Sequence, residues 1–570
     1  MFRRPFVLAL VATLANAAKP VAVDDTAYLA FAAHIAAAPT DPYGFDLFWY
    51  NEPEPAMDIL CPPVLPYWLA LGVRLVGVEP VLLKLWLFPV AWVFAWAVRD
   101  LLRRFARGTE SGALPLVVLS PAVLPMVNLM LDIPAAALGL AALAVFARAA
   151  DRGSYRLAAA AGLFAALAMQ TKYTALVAPA VIGWYGLTHR RFALTAVAIG
   201  AAAGGFAAWE ALLHLKYGTS HFLHHLGQQG SSGDGWFADK FHLVAPLAGH
   251  LGLLGVGAAA YAQRAVGVPR RLVAAGAVAW AVGAVLVATT PGANTILVPG
   301  KEPGHPKLTL PVLVWRTAGT AVLLTALAAA LRLLVRWRKR RPVRWSADSW
   351  FVVGWVLVEL AGYFAMTPFP AARRVIGVAL ALGLLSARVV SRTPACRPAR
   401  WVVPFGVGVG VLAAALDAYD ATPEKVLAER AAAVVPAGAR AWYVGHWGFQ
   451  FYCERAGMRP AVAGQAKLAA GDYLILPLYP DPEGFYRPHP GDFLIDPPPD
   501  AVEKVAEFVW DDRLAAQTIP NFYGGTDPVV GRDHPRLRVA VYRLTRAWVA
   551  APGGNPEPQG AARPADVHPE

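Results

Sequence analysis

The first 28 residues, Met1–Tyr28, read "MFRRPFVLALVATLANAAKPVAVDDTAY" and set three features in a fixed order. Arg3 and Arg4 precede an apolar run, and two adjacent aspartates, Asp24 and Asp25, follow it. The run has about the length of a membrane span, which needs roughly 17–25 residues. By the positive-inside rule the basic end faces the cytoplasm. The paired carboxylates are therefore predicted on the opposite side.

The same stretch also fits a secretory signal peptide. Its basic start, short apolar core and "ANA" pattern of small residues are features of a cleavable leader. Cleavage near Ala18 would leave Asp24 and Asp25 on an untethered chain end, which favours a retained helix. Residues 1–18 are therefore interpreted as the first span, and the cleaved leader stays an open alternative.

The composition indicates that most of the chain lies in a membrane. The 570 residues are 57% hydrophobic and 16% charged, with a mean hydropathy of +0.44, whereas a soluble protein has roughly 25% charged residues. The net charge is +13, but the basic residues fall in short clusters between apolar runs and are not interleaved with aromatic residues. Membrane lipids, and not nucleic acid, are therefore the expected partners. The three cysteines show neither metal-ligand spacing nor a disulfide framework.

Thirteen apolar runs are predicted to span the membrane. They lie near 5–21, 80–98, 112–131, 133–149, 155–171, 173–188, 192–213, 243–263, 271–290, 311–333, 349–367, 374–390 and 401–416. The basic clusters, "RDLLRRFAR" and "RWRKRRPVR" among them, fall between even-numbered runs and the next odd ones, on one side. The fold predicted for residues 1–416 is thus an all-α polytopic protein of the cytoplasmic membrane. A further run, 62–78, is interpreted as a helix lying in the outer interface, because counting it would place "RDLLRRFAR" outside.

After residue 416 the composition predicts a small α/β domain on the outer side, residues 417–546. "TPEKVLAERAAAVVPAGARAWYVGHWGFQFYCERAG" predicts helix, strand and helix. "GDYLILPL", "VEKVAEFVW" and "RLRVAVYRL" predict strands from their β-branched and aromatic residues. Residues 547–570, rich in Pro, Gly and Ala, are predicted to be disordered.

Charged residues recur at the outer ends of the predicted spans. They are Asp24, Asp25, Asp132, Lys172, Arg373 and Arg374. Any one of them can be an ordinary interfacial charge, but ionisable groups at span ends often face a cavity and mark a site. A carboxylate in such a cavity can accept a proton from a hydroxyl while cations hold a phosphate leaving group. We therefore predict that these side chains share one outer pocket.

The ordered set of an acidic pair, "PPVLPYW", "LDIP", "TKYTALVAP" and "PFPAARRV" resembles the GT-C superfamily of integral-membrane glycosyltransferases. The branch it looks most similar to is that of bacterial protein O-mannosyltransferases and aminoarabinose transferases. The resemblance implies a GT-C fold and transfer of a sugar from a polyprenyl-phosphate donor. The acceptor, on the outer face of the membrane, is a glycan, a lipid or a protein. The implied mechanism inverts the anomeric configuration and uses an aspartate base in the first outer loop, residues 22–79.

The resemblance also implies roles for individual residues. Asp24 matches the catalytic aspartate, and Asp25 matches the acidic residue that follows it. Asp132 resembles a second-loop acid that shapes the site or accepts a divalent metal; no cofactor is certain, no metal ligand is assigned, and metal dependence is left open. Lys172 resembles the lysine of a "TKG"-like motif. Cys61 departs from the pattern, because the aminoarabinose branch has a lysine there.

The cationic motif late in the chain matches the family pattern less closely than the earlier motifs do. Arg373 and Arg374 stand where the family has an "RY" pair that faces lipid phosphate. The sequence does not show which of the two arginines does so. In the first outer loop, Glu52 and Glu54 among aromatic residues, and Tyr67 at headgroup level, are candidates for substrate binding. Plain packing at the interface is the alternative for this loop.

Two further motifs and one rival function also fit the sequence. The histidines that follow the seventh span are candidates for metal ligation or for a lid over the cavity; they are His214, His221, His224 and His225. "GHWGFQFY", 445–452, can bind acceptor sugar or form a packing face. A transporter or flippase of a lipid-linked sugar is the alternative function, although such proteins tend to show internal repeats with broken helices. Glu210 and Glu359, which lie within predicted spans, are the residues that fit it.

Overall fold

The computed structural model describes residues 3–49, 52–230, 240–267, 310–338, 346–480, 486–487, 497–511, 516–519, 524–531 and 535–550. Over these residues the chain is mostly helical, and most strands follow residue 440. The span predicted near 271–290 and most of the tail predicted to be disordered lie outside the described residues.

Eleven α-helices are described before residue 231. They are α1 (Arg3–Ala17), α2 (Asp25–Ala37), α3 (Val64–Val76), α4 (Pro80–Trp86), α5 (Phe88–Phe105), α6 (Glu110–Val118), α7 (Asp132–Arg152), α8 (Tyr155–Met169), α9 (Val177–His189), α10 (Phe192–Tyr217) and α11 (His221–Gly230). Several ends follow from local sequence. The Ser154 hydroxyl caps α8 by accepting a hydrogen bond from Leu157 N at 3.3 Å. Gly153 ends α7 in the left-handed conformation that glycine adopts without strain.

The remaining membrane helices follow in the second half of the chain. They are α12 (Val244–Leu254), α13 (Val256–Val266), α14 (Leu310–Arg338), α15 (Ala347–Met366), α16 (Ile376–Ser391) and α17 (Val402–Asp420). Within the described residues, seven helical stretches are long and apolar enough to cross a membrane, and the pair α12–α13, bent by 82°, can form an eighth. The chain is therefore a multi-pass membrane protein. Thirteen spans remain a prediction.

The run predicted as a span at 112–131 is helical only to Val118. Pro121 and Pro125 follow, and proline lacks the N–H group that would continue the helix. The backbone from 119 to 131 forms buried turns and a short 3₁₀ segment instead. These turns bring Asn128 against the segment that carries the aspartate pair.

Helix α3 is a short apolar helix that is not among the stretches long enough to cross a membrane, and its placement in the outer interface stays a prediction. Its 13 residues extend about 20 Å at 1.5 Å per residue, whereas the hydrocarbon core is about 30 Å thick. Leu65 and Leu69 are buried, while Leu71 and Leu75 on the other face are exposed. One face of α3 therefore packs against the protein, and the other leaves apolar side chains exposed.

Strands form a hairpin in the first outer loop and a sheet near the C-terminus. The hairpin pairs β1 (Asp46–Trp49) with β2 (Glu52–Pro55). The strands that follow are β3 (Ala441–Tyr443), β4 (Arg459–Pro460), β5 (Lys467–Leu468), β6 (Tyr473–Pro480), β7 (Tyr486–Arg487), β8 (Val502–Val509), β9 (Ala516–Gln517), β10 (Val530–Gly531), β11 (Arg538–Leu544) and β12 (Trp548–Val549).

The main C-terminal sheet has the order β4-β3-β6-β11-β8, with β7 paired to β6. Strand β3 runs parallel to β4 and β6, and β11 is antiparallel to both β6 and β8. Two helices, α18 (Thr422–Val434) and α19 (Trp447–Arg455), flank β3 in sequence. The predicted helix–strand–helix segment and the three predicted strands, now β6, β8 and β11, agree with the structure. Helix α19 contacts α2, so the C-terminal region reaches the first outer loop.

Candidate active site

Asp24 lies at the start of α2, directly after a strained residue. Val23 has a φ of +48°, in the left-handed region that β-branched residues rarely adopt. Such strain persists only where the surrounding structure fixes the backbone. Asp24 itself is buried, with 4% of its surface exposed. The chain therefore holds this carboxylate in one defined position.

Arg373 is the cation partner of Asp24. It lies in a 3₁₀ turn, Ala372–Val375, between α15 and α16. Arg373 Nη1 donates to Asp24 Oδ2 at 2.9 Å, and both side chains are buried. Asp24 Oδ1 is also buried and has no hydrogen-bond partner among the described residues. Arg373 thus fixes one carboxylate oxygen, while the other has no hydrogen-bond partner among the described residues.

The electrostatics of Asp24 suit a proton acceptor. Burial raises the pKa of the Asp24 carboxyl above its ordinary value, and the Arg373 guanidinium opposes this rise. A carboxylate with a raised pKa is a stronger base than a surface aspartate, and the neighbouring cation favours its ionised form.

Asp132 and Lys172 form a second ion pair in the same cluster. Lys172 Nζ donates to Asp132 Oδ1 at 2.5 Å. Asp132 begins α7, where the helix dipole stabilises a negative charge. Asp132 Oδ2 is buried and has no hydrogen-bond partner among the described residues. Burial lowers the pKa of Lys172 to about 8, although the Asp132 carboxylate opposes this shift.

A cleft of about 150 Å³ opens beside this cluster, between α7, α9, α15 and α16. Charged side chains line its polar end, and apolar side chains of the four helices line the rest. The charged residues are Asp132, Lys172, Glu359, Arg373 and Arg374, and the apolar ones include Leu140, Val177, Trp355 and Leu380. A ligand with an anionic head and an apolar chain matches this division.

The two adjacent arginines differ in their surroundings. Arg373 is buried and bonded to Asp24, whereas Arg374 is partly exposed and its guanidinium lies 4.6 Å from the centroid of the Phe369 ring. Pro368 and Pro370 precede them and end α15, because proline cannot continue a helix. The turn that follows directs the two adjacent residues to different neighbours.

Asp25 points into the protein and does not line the cleft. It is fully buried, and its Oδ2 accepts hydrogen bonds from Ala22 N at 3.3 Å and Asn128 Nδ2 at 3.0 Å. Burial raises the pKa of the Asp25 carboxyl, and the ammonium groups of Lys84 and Lys19 oppose this rise. These contacts support the loop that carries Asp24. A catalytic role for Asp25 stays a prediction.

The candidates from the first outer loop lie away from the cleft lining. Glu52 and Glu54 are on strand β2, and Glu52 is exposed. Tyr67 is on α3, where its hydroxyl donates to Pro39 O at 2.7 Å, and it lines a separate apolar groove with Trp68 and other residues. Their proposed contacts with substrate stay predictions.

A polar network behind Lys172 was not predicted from the sequence. The Tyr173 hydroxyl lies 2.6 Å from His221 Nδ1 and donates to Glu210 Oε1 at 3.3 Å. Glu210 also accepts from Gln170 Nε2 at 2.8 Å and from the Ser220 hydroxyl at 2.7 Å. The one available signal was the position of Gln170 and Tyr173 on either side of "TK". The network fixes the backbone on both sides of Lys172.

The histidines form contacts within α11 and with the first outer loop. His221 Nε2 lies 3.2 Å from His225 Nε2, and His224 Nε2 lies 2.7 Å from Asp58 Oδ1. Within the described residues, no group of three or more His, Cys, Asp or Glu side chains is arranged to hold a metal ion.

The fit of a divalent metal at the carboxylates can be judged from their partners. Asp24 and Asp132 are each bonded to a cationic side chain. The positive charge that a metal ion would place beside them is therefore already present. This donor set does not match a metal site, and no step proposed below involves one.

Comparisons with known proteins give distant likenesses. No family model and no curated protein matches the chain. Oligosaccharyltransferase AglB from Archaeoglobus fulgidus, solved with an inhibitory peptide and a dolichol-phosphate, is similar over 85% of this chain and 74% of its own, with 13% identity and a TM-score of 0.47. ArnT from Cupriavidus metallidurans, solved with undecaprenyl phosphate, is similar over 82% of this chain and 92% of its own, with 14% identity and a TM-score of 0.37. At 13–14% identity these likenesses concern the fold alone.

Proposed function

We propose that this chain is an inverting glycosyltransferase that moves a sugar from a polyprenyl-phosphate donor to an acceptor on the outer face of the cytoplasmic membrane. One observation carries the proposal. Asp132 and three cationic side chains, Lys172, Arg373 and Arg374, line the polar end of a cleft whose remaining walls are mostly apolar, and Arg373 is ion-paired to the buried Asp24 behind this lining. A lipid phosphate has the matching anionic head and hydrocarbon chain. In this arrangement residues 1–416 form the transferase domain, and residues 417–546 form an extracytoplasmic domain.

The donor phosphate is held by Lys172 and Arg374. An ammonium group carries three N–H donors, so Lys172 can bond Asp132 and a phosphate oxygen at the same time. The planar guanidinium of Arg374 suits bidentate binding of phosphate. The polyprenyl chain follows the apolar walls near Val177 and Leu380. The proposed reaction requires the anomeric carbon of the donor to lie close to Asp24, which Arg373 connects to the cleft lining.

The reaction then needs one base and one stabilised leaving group. Asp24 Oδ1 accepts the proton of the acceptor hydroxyl, and the acceptor oxygen attacks the anomeric carbon on the face opposite the phosphate. The bond between the anomeric carbon and the phosphate oxygen breaks, and its electron pair leaves with the lipid phosphate. The cationic side chains stabilise the charge that develops there. The new glycosidic bond has inverted configuration, and the proton resides on Asp24.

Arg373 acts on Asp24, the proposed base, and does not bind the phosphate leaving group. Its bond to Asp24 Oδ2 turns the other carboxylate oxygen, Oδ1, toward substrate and keeps the group ionised. We assign Glu52, Glu54 and Tyr67 to the acceptor side, where the first outer loop supplies carboxylates and an aromatic ring. Asp25 supports the loop from inside.

The pH dependence of kcat/KM is expected to be bell-shaped. Activity falls as the pH drops through the raised pKa of Asp24, because a protonated base cannot accept the acceptor proton. Activity also falls as the pH rises past about 8, because Lys172 loses the charge that holds the phosphate. Measuring kcat/KM from pH 5 to 10, which reports groups of the free enzyme, tests both limbs.

The Lys172→Arg variant is the control for the alkaline limb. Arginine stays charged over this range, so the fall near pH 8 should disappear while the acid limb remains. An alkaline limb that is the same in the variant and the wild type would remove Lys172 as its cause.

The proposed activity is tested with the purified full-length protein and a panel of synthetic undecaprenyl-phosphate sugars. Release of undecaprenyl phosphate is followed together with transfer to membrane-lipid, glycan and protein acceptors. We expect one class of donor to be consumed and its sugar to appear on an acceptor with inverted anomeric configuration. Movement of intact donor across proteoliposomes without cleavage would contradict the proposal and favour the transporter.

A further inference from the structure

The aromatic segment "GHWGFQFY", 445–452, lies against the loop that carries Asp24. The Thr26 hydroxyl donates to Trp447 O at 2.8 Å, across 421 positions of sequence. The Tyr452 hydroxyl accepts a hydrogen bond from Val21 N at 2.9 Å. The two bonds fix the backbone on the two sides of Asp24. No part of the proposed reaction uses this segment directly.

Gly448 shows how closely helix α19 approaches this loop. A Cβ atom added at Gly448 would lie 2.5 Å from Val21 O and 3.3 Å from the Cα of Ala22. Real side chains do not tolerate the first of these distances against a backbone oxygen. Only glycine therefore allows the helix and the loop to approach this closely, which explains a glycine in the first turn of an otherwise aromatic helix.

Backbone strain occurs on both sides of this contact. Trp447 has a φ of +60° and Val23 has a φ of +48°. Non-glycine residues adopt this region only where neighbours hold them there. The two strained residues lie in the two segments that the Thr26 bond joins. The contact therefore holds a loop conformation that the free chain would not favour.

The same helix also holds the hairpin of the first outer loop. Gln450 Nε2 donates to Phe48 O on β1 at 3.2 Å. The ring of Phe48 meets that of Tyr443 edge-on, with centroids 6.2 Å apart. Helix α19 thus contacts both the segment around Asp24 and the hairpin of the first outer loop.

We propose that helix α19 of the C-terminal domain is a positioning element of the active site, which fixes the Asp24 loop through Trp447 O, Gly448 and the Tyr452 hydroxyl. This inference rests on the proposed function, because it assumes that Asp24 is the base. The C-terminal domain is then part of the catalytic unit. A displacement of about 1 Å at a reacting group is enough to lower a rate on the order of 100-fold.

The test compares Gly448→Ala, Tyr452→Phe and Thr26→Val in the full-length protein. We expect kcat to fall by roughly 10- to 100-fold in Gly448→Ala, and by less in the other two, while the KM for donor stays unchanged. Hydrogen–deuterium exchange of residues 21–27 should accelerate in the same order. The exchange measurement requires no substrate, so it can be read even if the donor is unknown.

Tyr443→Phe is the matched control. The Tyr443 hydroxyl donates to Glu454 Oε1 at 2.7 Å within the same domain and does not touch the Asp24 loop. A purely structural role for α19 would make this variant behave like Tyr452→Phe. The inference is overturned if Gly448→Ala and Tyr452→Phe leave both kcat and exchange at 21–27 at wild-type values. Full activity of Asp24→Asn would instead overturn the proposed function, whatever the α19 variants do.

Discussion

Replacing Asp24 by asparagine is expected to lower kcat by on the order of 10²–10⁴-fold, the contribution typical of a general base. Asparagine keeps the size of the side chain and can still accept the bond from Arg373 through its amide oxygen. It cannot accept the proton of the acceptor hydroxyl. Binding of the donor should change little, because the phosphate contacts Lys172 and Arg374 and not Asp24. Transfer kinetics and donor binding on the same preparation measure both effects.

Asp41→Asn is the control for this experiment. Asp41 is also a carboxylate of the first outer loop paired with a cation, Lys216, at 2.8 Å, but Lys216 does not line the cleft, whereas Arg373, the partner of Asp24, does. The control should keep wild-type kcat. Thermal unfolding of both variants in detergent verifies that each is folded. If Asp24→Asn transfers sugar at a rate near wild type, Asp24 is not the base.

Neutralising the two proposed phosphate ligands should weaken donor binding strongly. A hydrogen bond to a charged group contributes about 1.5–3 kcal/mol, which corresponds to roughly 10- to 150-fold in affinity. We expect Arg374→Gln and Lys172→Gln each to raise the KM for donor within this range. The double variant should raise it further. Steady-state kinetics with varied donor and saturating acceptor measure the change.

Two further variants separate phosphate binding from other effects. Lys172→Gln leaves Asp132 without its cation, so Lys172→Arg is included to restore the charge and should recover most of the donor affinity. Arg373→Gln should mainly lower kcat, because Arg373 holds Asp24. If Arg373→Gln raises the KM while Arg374→Gln does not, the roles of the two arginines are reversed.

The clustering of charges at span ends could be predicted from the sequence. Asp24, Asp132, Lys172 and the arginine pair stand at ends of apolar runs that the charge rule places on one side. Helices of similar length bring such ends to one level of the membrane. The structure joins these residues through two ion pairs and one cleft.

The different contacts made by adjacent charged residues could not be predicted from the sequence. Arg373 and Arg374 are adjacent residues of the same type, so the sequence does not distinguish them. The 3₁₀ turn after Pro370 directs Arg373 to Asp24 and Arg374 to the Phe369 ring. Asp25 likewise follows Asp24 but turns inward. The direction of a side chain at the start of a helix depends on a few backbone dihedral angles. The hydrophobic periodicity of the sequence does not predict these angles.

Contacts between segments distant in the chain also could not be predicted from the sequence. The segment "GHWGFQFY" fitted an acceptor site as well as a packing face, because its partner lies more than 400 positions away. The end of a helix at Val118 depends on two prolines within a run whose hydropathy still resembles a span. Hydropathy measures the solvent preference of a segment and not its hydrogen bonding.

The most direct test of the central claim is an experimental structure of the Asp24→Asn protein with undecaprenyl phosphate, in which turnover is blocked. We expect the phosphate within about 3 Å of Lys172 Nζ and the Arg374 guanidinium, with the prenyl chain between α7, α9, α15 and α16. Lipid found instead in the groove beside Trp68 and Arg74, with the charged cleft holding no phosphate, would contradict it.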